Sequence, residues 1–330
     1  MNSQPALRAV PRLAGIVLLP LLAGHALGQS PSVSQPGGLN LGVTSFYDGF
    51  SGPPGWAWQT TVRHSSANKI ADSNGNANPA FTDPKVNSTA VVNQLSYAMP
   101  TSVYGWRPGF MVILPVVALD SSFGPGPALK DGGTGLSDMT LEASLQSEPV
   151  VNDGGAPVFA QRLTAAAILP TGRYQQNADI NQGSGYASFN PYWAATFFPA
   201  PRWEMSWRLH YLYNFKNDKP ASSAPRPFNG QTVTSTQAGD AAWANFAASY
   251  SVTPDVSLGI NGYYFQQLSD SRANGIRLAD SRERVLGIGP GMMWRISPEK
   301  ALWVNAYTES MVHNRAASKL NLQVRTVINF

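Results

Sequence analysis

The sequence predicts an all-β protein, a transmembrane antiparallel up-and-down β-barrel of about 12 strands, within a range of roughly 10 to 14. Three observations predict this fold class. The chain opens with an export signal, has no cysteine, and ends in a strand whose apolar and polar residues alternate up to an aromatic carboxyl terminus. A soluble sandwich strand can alternate in the same way, but the combination favours an outer-membrane barrel. In the last strand Leu320, Leu322, Val324, Ile328 and Phe330 share one face, and Asn321, Gln323, Arg325 and Asn329 share the other.

The first 28 residues are predicted to be a secretory signal peptide. Arg8 and Arg12 give a basic start, Leu13 to Leu22 give a short apolar core, and small residues precede a predicted cut at Gln29. A transmembrane anchor would need about 20 apolar residues, and Pro20 interrupts this core before that length. The predicted domains are the signal peptide (1–28), an N-terminal segment (29–54) that is either disordered or a luminal plug, and the barrel (55–330).

Charge and composition exclude several other classes. Removing the signal takes away 2 of the 23 basic residues and none of the 19 acidic residues, so the mature chain carries 21 − 19 = +2. This balance predicts no nucleic-acid partner, and the lack of cysteine excludes disulfides and thiol chemistry. Beyond the signal, no apolar run is long enough for a spanning helix, and amphipathic helical stretches are missing. An all-β fold remains.

About twelve segments have the length that a tilted membrane strand needs. Trp203–Phe215 is the clearest of them, because every second residue is apolar. Its predicted lipid-facing residues are Trp203, Met205, Trp207, Leu209, Tyr211, Tyr213 and Phe215, and its predicted luminal residues are Glu204, Ser206, Arg208, His210 and Asn214.

In other strand segments the alternation shows less clearly which residues face the lumen and which face lipid. The alternation in Asp138–Leu145 turns Glu142 inward, while Gln59–His64 and Arg162–Leu169 turn Arg63 and Arg162 inward. Two segments are apolar on both faces, so the sequence assigns no phase to them. These are Phe110–Val117 and Tyr192–Phe198.

Long polar stretches alternate with short links, as external loops and periplasmic turns do in outer-membrane barrels. The long stretches are Ser65–Val86, Asp120–Leu136, Thr171–Gly185, Lys216–Gly239 and Ser269–Arg282. The short links are Pro100–Gly105, Pro199–Arg202, Thr253–Asp255 and Ser297–Lys300. We expect both termini in the periplasm, an even strand count, and a location in the outer membrane of a Gram-negative bacterium.

Several motifs occur in a fixed order along the predicted barrel. They are Gly52-Pro-Pro-Gly55, Gly133-Thr-Gly-Leu-Ser-Asp138, Leu169-Pro-Thr-Gly-Arg-Tyr174, Asn181-Gln-Gly-Ser-Gly185, Gly262-Tyr-Tyr-Phe-Gln-Gln-Leu-Ser-Asp270 and Gly287-Ile-Gly-Pro290. In this order the chain resembles the proteins of the meta pathway of phenol degradation, over nearly the whole mature chain. The resemblance implies an outer-membrane barrel and a role in moving aromatic or other hydrophobic compounds, and it implies no catalytic residues.

The resulting hypothesis is an outer-membrane channel for passive uptake of small hydrophobic or aromatic compounds, linked to aromatic catabolism. A structural or surface-displaying barrel without transport is the alternative, and a barrel hydrolase is a weaker one. An enzyme needs an activated nucleophile or water, and no recognisable motif surrounds His64, His210 or His313. No metal-ligand spacing or cofactor motif occurs. The expected partners are outer-membrane lipid, a small apolar or aromatic solute, and the barrel-assembly machinery through the strand ending in Phe330.

Two sets of residues are candidates for contact with a solute. The inward charged and polar residues either form a charged constriction or a paired lattice that stiffens the lumen. The loop after Leu169 either folds inward as a constriction loop or has only a structural role, with Pro170 ending a strand and glycines supplying backbone angles. The first set is Arg63, Glu142, Arg162, Glu204, Arg208, His210 and Arg325, and the second is Pro170, Thr171, Gly172, Arg173, Tyr174, Asn181, Gly183 and Gly185.

Two further patterns concern the lumen. Gly287, Gly289 and Gly291 alternate on one strand face, which leaves room for a plug or for a permeating solute. Four aromatic residues share faces that point either into the lumen, where they would suit an aromatic solute, or into lipid. They are Tyr263, Phe265, Trp303 and Tyr307.

Overall fold

The structure is a computed structural model that describes residues 33–222, 224 and 228–330. The predicted signal peptide (1–28) lies outside the described residues. No helix in the described ranges is long and apolar enough to cross a membrane.

Twelve long strands follow one another around the molecule. They are β1 (Gly55–Ile70), β2 (Lys85–Ala98), β3 (Trp106–Ser122), β4 (Met139–Ser147), β5 (Pro157–Leu169), β6 (Ser188–Ala200), β7 (Trp203–Asn214), β8 (Ala241–Ser251), β9 (Val256–Gln267), β10 (Arg284–Ser297), β11 (Lys300–His313) and β12 (Ala316–Asn329). Each is antiparallel to the next.

The last strand returns to the first and closes the sheet. β1 pairs with β2 on one side and with β12 on the other, where Ala57 lies opposite Asn329 and Ile70 opposite Ala316. The sheet has 14 strands in all, because the short strands Thr134–Leu136 and Val150–Val151 add two to the twelve. Closure pairs the backbone groups of every long strand within the sheet. The predicted 12-stranded up-and-down barrel is confirmed.

Side chains alternate between an apolar outer surface and a more polar lumen. In β7, the outward Trp203, Met205 and Leu209 are 45–49% exposed, whereas the inward Glu204 and Arg208 are 1% and 6% exposed. The predicted phase of Trp203–Phe215 is therefore confirmed. An apolar exterior around a polar interior is what a membrane requires of a barrel.

The structure also assigns the two phases that the sequence leaves open. In β3, Phe110 and Val112 face outward, while Met111 and Ile113 line the lumen. In β6, Phe197 is exposed on the outer surface, and its neighbours Tyr192 and Thr196 are buried inside. Alternation cannot reveal such a phase, because this part of the lumen is itself apolar.

Pro191 interrupts the hydrogen bonding between β6 and β7. The ladder has no pairs at Asn190 and Pro191, because proline has no N–H to donate. The side chain of Asn190 compensates, since its Nδ2 donates to the Tyr211 carbonyl oxygen at 2.7 Å. The strand pair thus remains satisfied at a residue that breaks the regular pattern.

The two ends of the barrel differ. At the turn end, short links such as 201–202 and 298–299 join the strands. At the loop end the connections are mostly long, namely 71–84, 123–138, 170–187, 215–240 and 268–283. Short strands at Thr236–Gln237, Arg272–Ala273 and Ile276–Arg277 form a second sheet that joins two of these loops. The predicted alternation of long and short connections is confirmed.

Residues Val33–Pro54, which we call the luminal segment, run through the barrel from the loop end to the turn end. Val33 packs on a cluster of loop residues at the loop end. Leu41 and Phe46 are 3% and 1% exposed inside the lumen. Phe330 lies at the turn end, where its carbonyl oxygen accepts the Trp56 N–H at 3.0 Å. The luminal segment thus crosses the barrel before β1 begins, and the expectation that both termini lie in the periplasm stays a prediction.

Candidate solute cavity in the barrel lumen

Gln35 holds the luminal segment at the loop end. Its Nε2 donates to Gly239 O at 2.8 Å and to Gln267 Oε1 at 3.0 Å, and its Oε1 accepts from Asn214 Nδ2 at 2.9 Å. The Gln35 backbone N–H donates to Glu283 Oε1 at 3.3 Å. These buried hydrogen bonds join three parts of the wall and adjoining loops to one side chain, so the start of the segment is fixed in position.

Burial shifts the pKa of two ionisable side chains at the loop end. Burial raises the pKa of the Glu283 carboxyl above its ordinary value, while Arg315 and the Gln35 N–H act in the opposite direction. Burial also raises the pKa of Tyr186, and the negative charge of Glu283 adds to the effect. The Tyr186 hydroxyl donates to Ser34 O at 2.8 Å, so a protonated phenol helps to hold the segment.

The middle of the luminal segment takes its backbone partners from the wall. Trp243 Nε1 and Asn245 Nδ2 donate to Asn40 O at 3.0 and 2.9 Å. The Tyr307 hydroxyl donates to Gly42 O at 2.7 Å, and the Gly42 N–H donates to Asn245 Oδ1 at 2.9 Å. An extended segment cannot satisfy its own backbone groups, so these side chains make its burial possible.

An ion pair joins the luminal segment to β7. Arg208 Nε lies 2.9 Å from Asp48 Oδ2, and a second contact joins Arg208 Nη2 to Asp48 Oδ1. Their side chains are 7% and 5% exposed. Beside them, Glu204 accepts the Tyr47 N–H at 3.0 Å, and Ser206 accepts the Asp48 N–H at 3.1 Å. Acidic and basic groups on β7 therefore hold the segment through paired contacts, which a buried charge requires.

Gly49 is where the luminal segment approaches the wall most tightly. Its N–H donates to Thr196 Oγ1 at 2.8 Å, and its carbonyl oxygen accepts from Gln146 Nε2 at 2.9 Å. A Cβ at this position would lie 2.4 Å from Thr196 N and 2.5 Å from Ala160 O. Both are backbone atoms of the barrel and cannot move aside, so this contact requires glycine.

A cavity of about 620 Å³ lies between the luminal segment and the opposite wall. It reaches the turn end near residues 297–301. Its volume is within the range of small-molecule sites, and its lining combines apolar residues with polar and charged ones in similar numbers. The apolar lining includes Val92, Met111, Ile113, Pro115 and Val117 from the wall, and Leu39, Val43, Phe46 and Phe50 from the luminal segment.

The predicted pore-lining residues divide into two groups. Six of the seven line the cavity, namely Arg63, Glu142, Arg162, Arg208, His210 and Arg325. Glu204 does not, because it lies behind the luminal segment and accepts from Tyr47 and Ser249. Arg208 is ion-paired and Arg162 donates to Phe50 O at 2.9 Å, whereas Arg63 and Arg325 form no ion pair in the described part of the chain. Inward charged residues that are held by protein partners and those that form no ion pair thus occupy different parts of one lumen.

The constriction loop lies at the loop end and contributes no residue to the cavity lining. Asp138 fixes it to the wall by accepting the Gly172 N–H at 3.0 Å and the Ser184 N–H at 2.7 Å. Arg173 Nη1 donates to Thr134 O at 2.7 Å, and the Tyr174 hydroxyl donates to Lys219 O at 2.6 Å. These contacts direct the loop over the rim, and the luminal segment narrows the lumen instead. The same rim position holds for Pro170, Thr171, Asn181, Gly183 and Gly185.

The four candidate aromatic residues face the lumen, but they do not form one aromatic path. Tyr263, Phe265 and Tyr307 are 0–1% exposed and pack in a cluster with Leu39 and Leu41 of the luminal segment. Trp303 is the member of the four that lines the cavity. Most of these rings therefore hold the luminal segment.

Gly291 of β10 leaves room for the luminal segment, whereas an added Cβ at Gly287 or Gly289 would meet the wall residues Tyr263 and Ala306. A Cβ at Gly291 would lie 3.1 Å from Phe46 Cζ and 2.0 Å from Asn261 Nδ2. The sequence predicts that these glycines leave room either for a plug or for a permeating solute, and the contact of Gly291 with Phe46 favours the plug.

The histidines lack the partners of a hydrolase. The His210 ring stacks on Trp243 with centroids 4.1 Å apart, and its Nδ1 lies 3.2 Å from Asn190 Oδ1. His64 contacts Thr89 on the exposed surface, and His313 Nδ1 lies 2.8 Å from Ser73 O. Within the described residues none of the three is hydrogen-bonded to a carboxylate, so the orienting partner of a catalytic base is missing. The same residues contain no cluster of three or more potential metal ligands.

Sequence reasoning did not identify the side chains of the luminal segment as part of the site. Leu39, Phe46 and Asp48 line the cavity, yet they precede the first strand. A signal was present, because Leu39, Leu41 and Val43 alternate with Asn40 and Gly42. This period of two indicates an extended segment with one buried face.

A closed barrel with an apolar exterior, a polar lumen and unlike ends is the architecture of bacterial outer-membrane barrels. The fold thus defines the protein as a β-barrel of the outer-membrane class. A family model described as "Putative MetA-pathway of phenol degradation" matches residues 67–325. The chain belongs to this family, and the resemblance noted from its motifs is confirmed.

One solved structure supports the fold, and two others are less similar. The "COG4313 outer membrane channel from Pseudomonas putida F1" is 19% identical, covers 90% of this chain and 100% of its own, and superposes with a TM-score of 0.72. The NanC porin, at 8% identity, and a Pseudomonas aeruginosa FadL homologue, at 10%, both have TM-scores of 0.42. They cover 82% and 89% of this chain, and 100% and 96% of their own. A comparison with curated protein sequences found no match.

Proposed function

We propose that this protein is a passive outer-membrane channel for small hydrophobic or aromatic compounds, linked to aromatic catabolism. One observation carries the proposal: the cavity of about 620 Å³ between the luminal segment and the β1–β4 wall, which presents to it an apolar patch that includes Met111, Ile113 and Val117. An apolar surface favours a solute whose transfer out of water costs little free energy. The family description, which refers to phenol degradation, gives independent support for an aromatic solute.

Membrane placement follows from the same proposal. The loop end faces the outside and the turn end faces the periplasm, since long loops are external in barrels of this type. Residues 1–28 are removed during export, and the barrel-assembly machinery recognises β12 through Phe330. Deletion of Phe330 is expected to reduce the amount of folded barrel in the outer membrane, measured by heat-modifiable migration on gels. Full assembly without Phe330 would contradict this role.

Conductance in planar bilayers tests the transport function. The purified protein is expected to give small, discrete openings, because the luminal segment leaves only part of the lumen open. Phenol or toluene added to the turn-end side should reduce the open-channel current by occupying the cavity.

Two results would argue against transport. A silent bilayer that contains folded protein, together with unchanged growth of a deletion strain on a limiting aromatic carbon source, would support a structural or surface-displaying barrel. The extensive contacts of the luminal segment favour that second candidate, since they close much of the lumen.

A further inference from the structure

Three adjacent strands present a row of inward polar side chains to the cavity. Thr61 on β1 lies opposite Arg325 on β12, and Arg325 lies opposite Trp303 on β11. Neighbouring strands are about 4.8 Å apart, so the three side chains stand side by side on one level of the barrel. Arg63 follows Thr61 on the same face of β1, and all four residues line the cavity.

The polar atoms of this row have no protein partner. Thr61 Oγ1, Arg325 Nε and Trp303 Nε1 are buried without a hydrogen bond to any described residue. Their residues are 0%, 8% and 9% exposed. Buried polar groups in proteins are nearly always satisfied, so three neighbouring groups without a protein partner beside one cavity favour a polar ligand at this place.

All three groups can donate a hydrogen bond. The indole and guanidinium nitrogens are donors only, and the threonine hydroxyl either donates or accepts. Arg63 adds a second positive charge, with its Nε bonded to Asn321 Oδ1 at 3.3 Å. The ligand that satisfies such a set carries acceptor atoms and negative charge.

Positive charge on this wall is not neutralised by the protein. Arg208, on the other side of the lumen, has Asp48 as its partner, but neither Arg63 nor Arg325 forms an ion pair in the described ranges. The Arg325 guanidinium instead lies over the Trp303 ring, with its carbon 4.0 Å from the ring centroid. This stacking fixes the guanidinium plane in the wall and leaves its charge available to a solute.

We propose that Thr61, Arg63, Trp303 and Arg325 form a binding site for the carboxylate of an amphipathic solute. The apolar or aromatic body of that solute lies in the same cavity, against side chains such as Met111 and Ile113. The inference rests on the proposed function and narrows its substrate class from apolar compounds in general to organic monocarboxylates. An aromatic acid and a medium-chain fatty acid share this chemistry.

Calorimetric titration of the full mature protein in a non-ionic detergent tests the site. The probes are 3-phenylpropanoate, its neutral counterpart 3-phenylpropan-1-ol, and octanoate. We expect 3-phenylpropanoate to bind at least about tenfold more tightly than the alcohol, because charge-assisted hydrogen bonds are roughly twice as strong as neutral ones. Octanoate is expected to bind as well, because it carries the same head group on an apolar body, and binding of the alcohol as tight as that of both acids would overturn the site.

Substitutions in the row should remove the preference for the acid. Arg325→Gln is expected to make the acid and the alcohol bind equally. Thr61→Val keeps the side-chain shape, and because Thr61 Oγ1 has no protein partner it should leave folding unchanged while weakening acid binding several-fold. Arg272→Gln removes the same charge from an exposed residue outside the cavity lining and is the matched control, with no expected effect.

The failure of this site is distinguishable from the failure of the channel proposal. One set of results would overturn the carboxylate site and leave the channel proposal standing. In it, the alcohol binds and blocks conductance as well as the acid does, and neither Arg325→Gln nor Thr61→Val changes the binding or the block. If neither compound binds and no openings occur, the channel proposal itself fails, and the carboxylate site fails with it.

Discussion

The two sides of the barrel lumen are built for different purposes. On the side of β7–β10, inward residues such as Asn245, Glu204 and Arg208 are at most 6% exposed and bind the luminal segment. On the side of β1–β4, inward residues such as Gln59, Met111 and Ile113 are only half-buried and face the cavity. One wall is saturated with contacts to the luminal segment, and the other borders the cavity. The difference shows that a single alternating pattern of strands can produce both a wall that holds an internal segment and a wall that faces open space.

The largest expected effect comes from breaking the ion pair on the saturated side. Asp48→Ala leaves Arg208 buried without its partner, which typically costs about 3–5 kcal/mol in stability. Urea unfolding of the protein in lipid vesicles, followed by tryptophan fluorescence, measures the loss. Asp218→Ala is the control, because it breaks an ion pair with Lys216 on the surface. The Asp218 and Lys216 side chains are 73% and 60% exposed, so the stability should not change measurably. Equal effects of the two substitutions would contradict the assignment of Asp48 as an anchor.

A smaller effect is expected where the segment touches the wall. Gly49→Val places side-chain atoms against Thr196 N and Ala160 O, and overpacking of this kind costs about 1–3 kcal/mol. Partial release of the segment should also raise the single-channel conductance. Gly37→Ala is the control, because its added carbon would have no neighbour closer than 4.0 Å. Unchanged stability and conductance in Gly49→Val would mean that the segment is not held at this point.

The smallest expected effect is the pH dependence of stability that Glu283 contributes at the loop end. Burial raises the pKa of Glu283 above 4.5, so the folded state binds more protons than the unfolded state between the two pKa values. This group's contribution to stability is therefore fully present below pH 4.5 and is lost as the pH rises through the folded-state pKa. Arg315, at 3.6 Å, and the Gln35 N–H face the carboxylate and limit the shift.

Glu283→Gln isolates that contribution. The stability of the variant relative to the wild type, measured by urea unfolding from pH 4 to pH 8, should increase as the pH rises, since the variant has no proton to lose. A difference that stays constant with pH would show that Glu283 does not titrate in this range.

Much of the fold could be predicted from the sequence, because each strand carries its own period. Trp203–Phe215 alternates so regularly that its outward and inward residues can be read directly, and Phe330 marks the last strand. β3 could not be phased, since Met111 and Ile113 are apolar residues that face the cavity. An apolar lumen removes the contrast on which the prediction depends.

The site was less predictable than the fold. Inward phase alone identified Arg63, Arg162, Arg208 and Arg325, but which of them is paired depends on Asp48, far away in the sequence. The path of the luminal segment could not be predicted for the same reason, because its partners are distributed over β4–β12. Local patterns show which side a residue faces, and long-range contacts decide what it does there.

We propose that a solute occupies the open side of the lumen, against β1–β4. Ile113→Trp fills that side, whereas Ile260→Trp adds the same ring to an outward position that is 59% exposed. The most direct test is the single-channel current of both variants with and without phenol. Ile113→Trp is expected to reduce the current and abolish the block by phenol, while Ile260→Trp is expected to behave like the wild type. A wild-type current and a wild-type phenol block in Ile113→Trp would contradict binding on this side of the lumen.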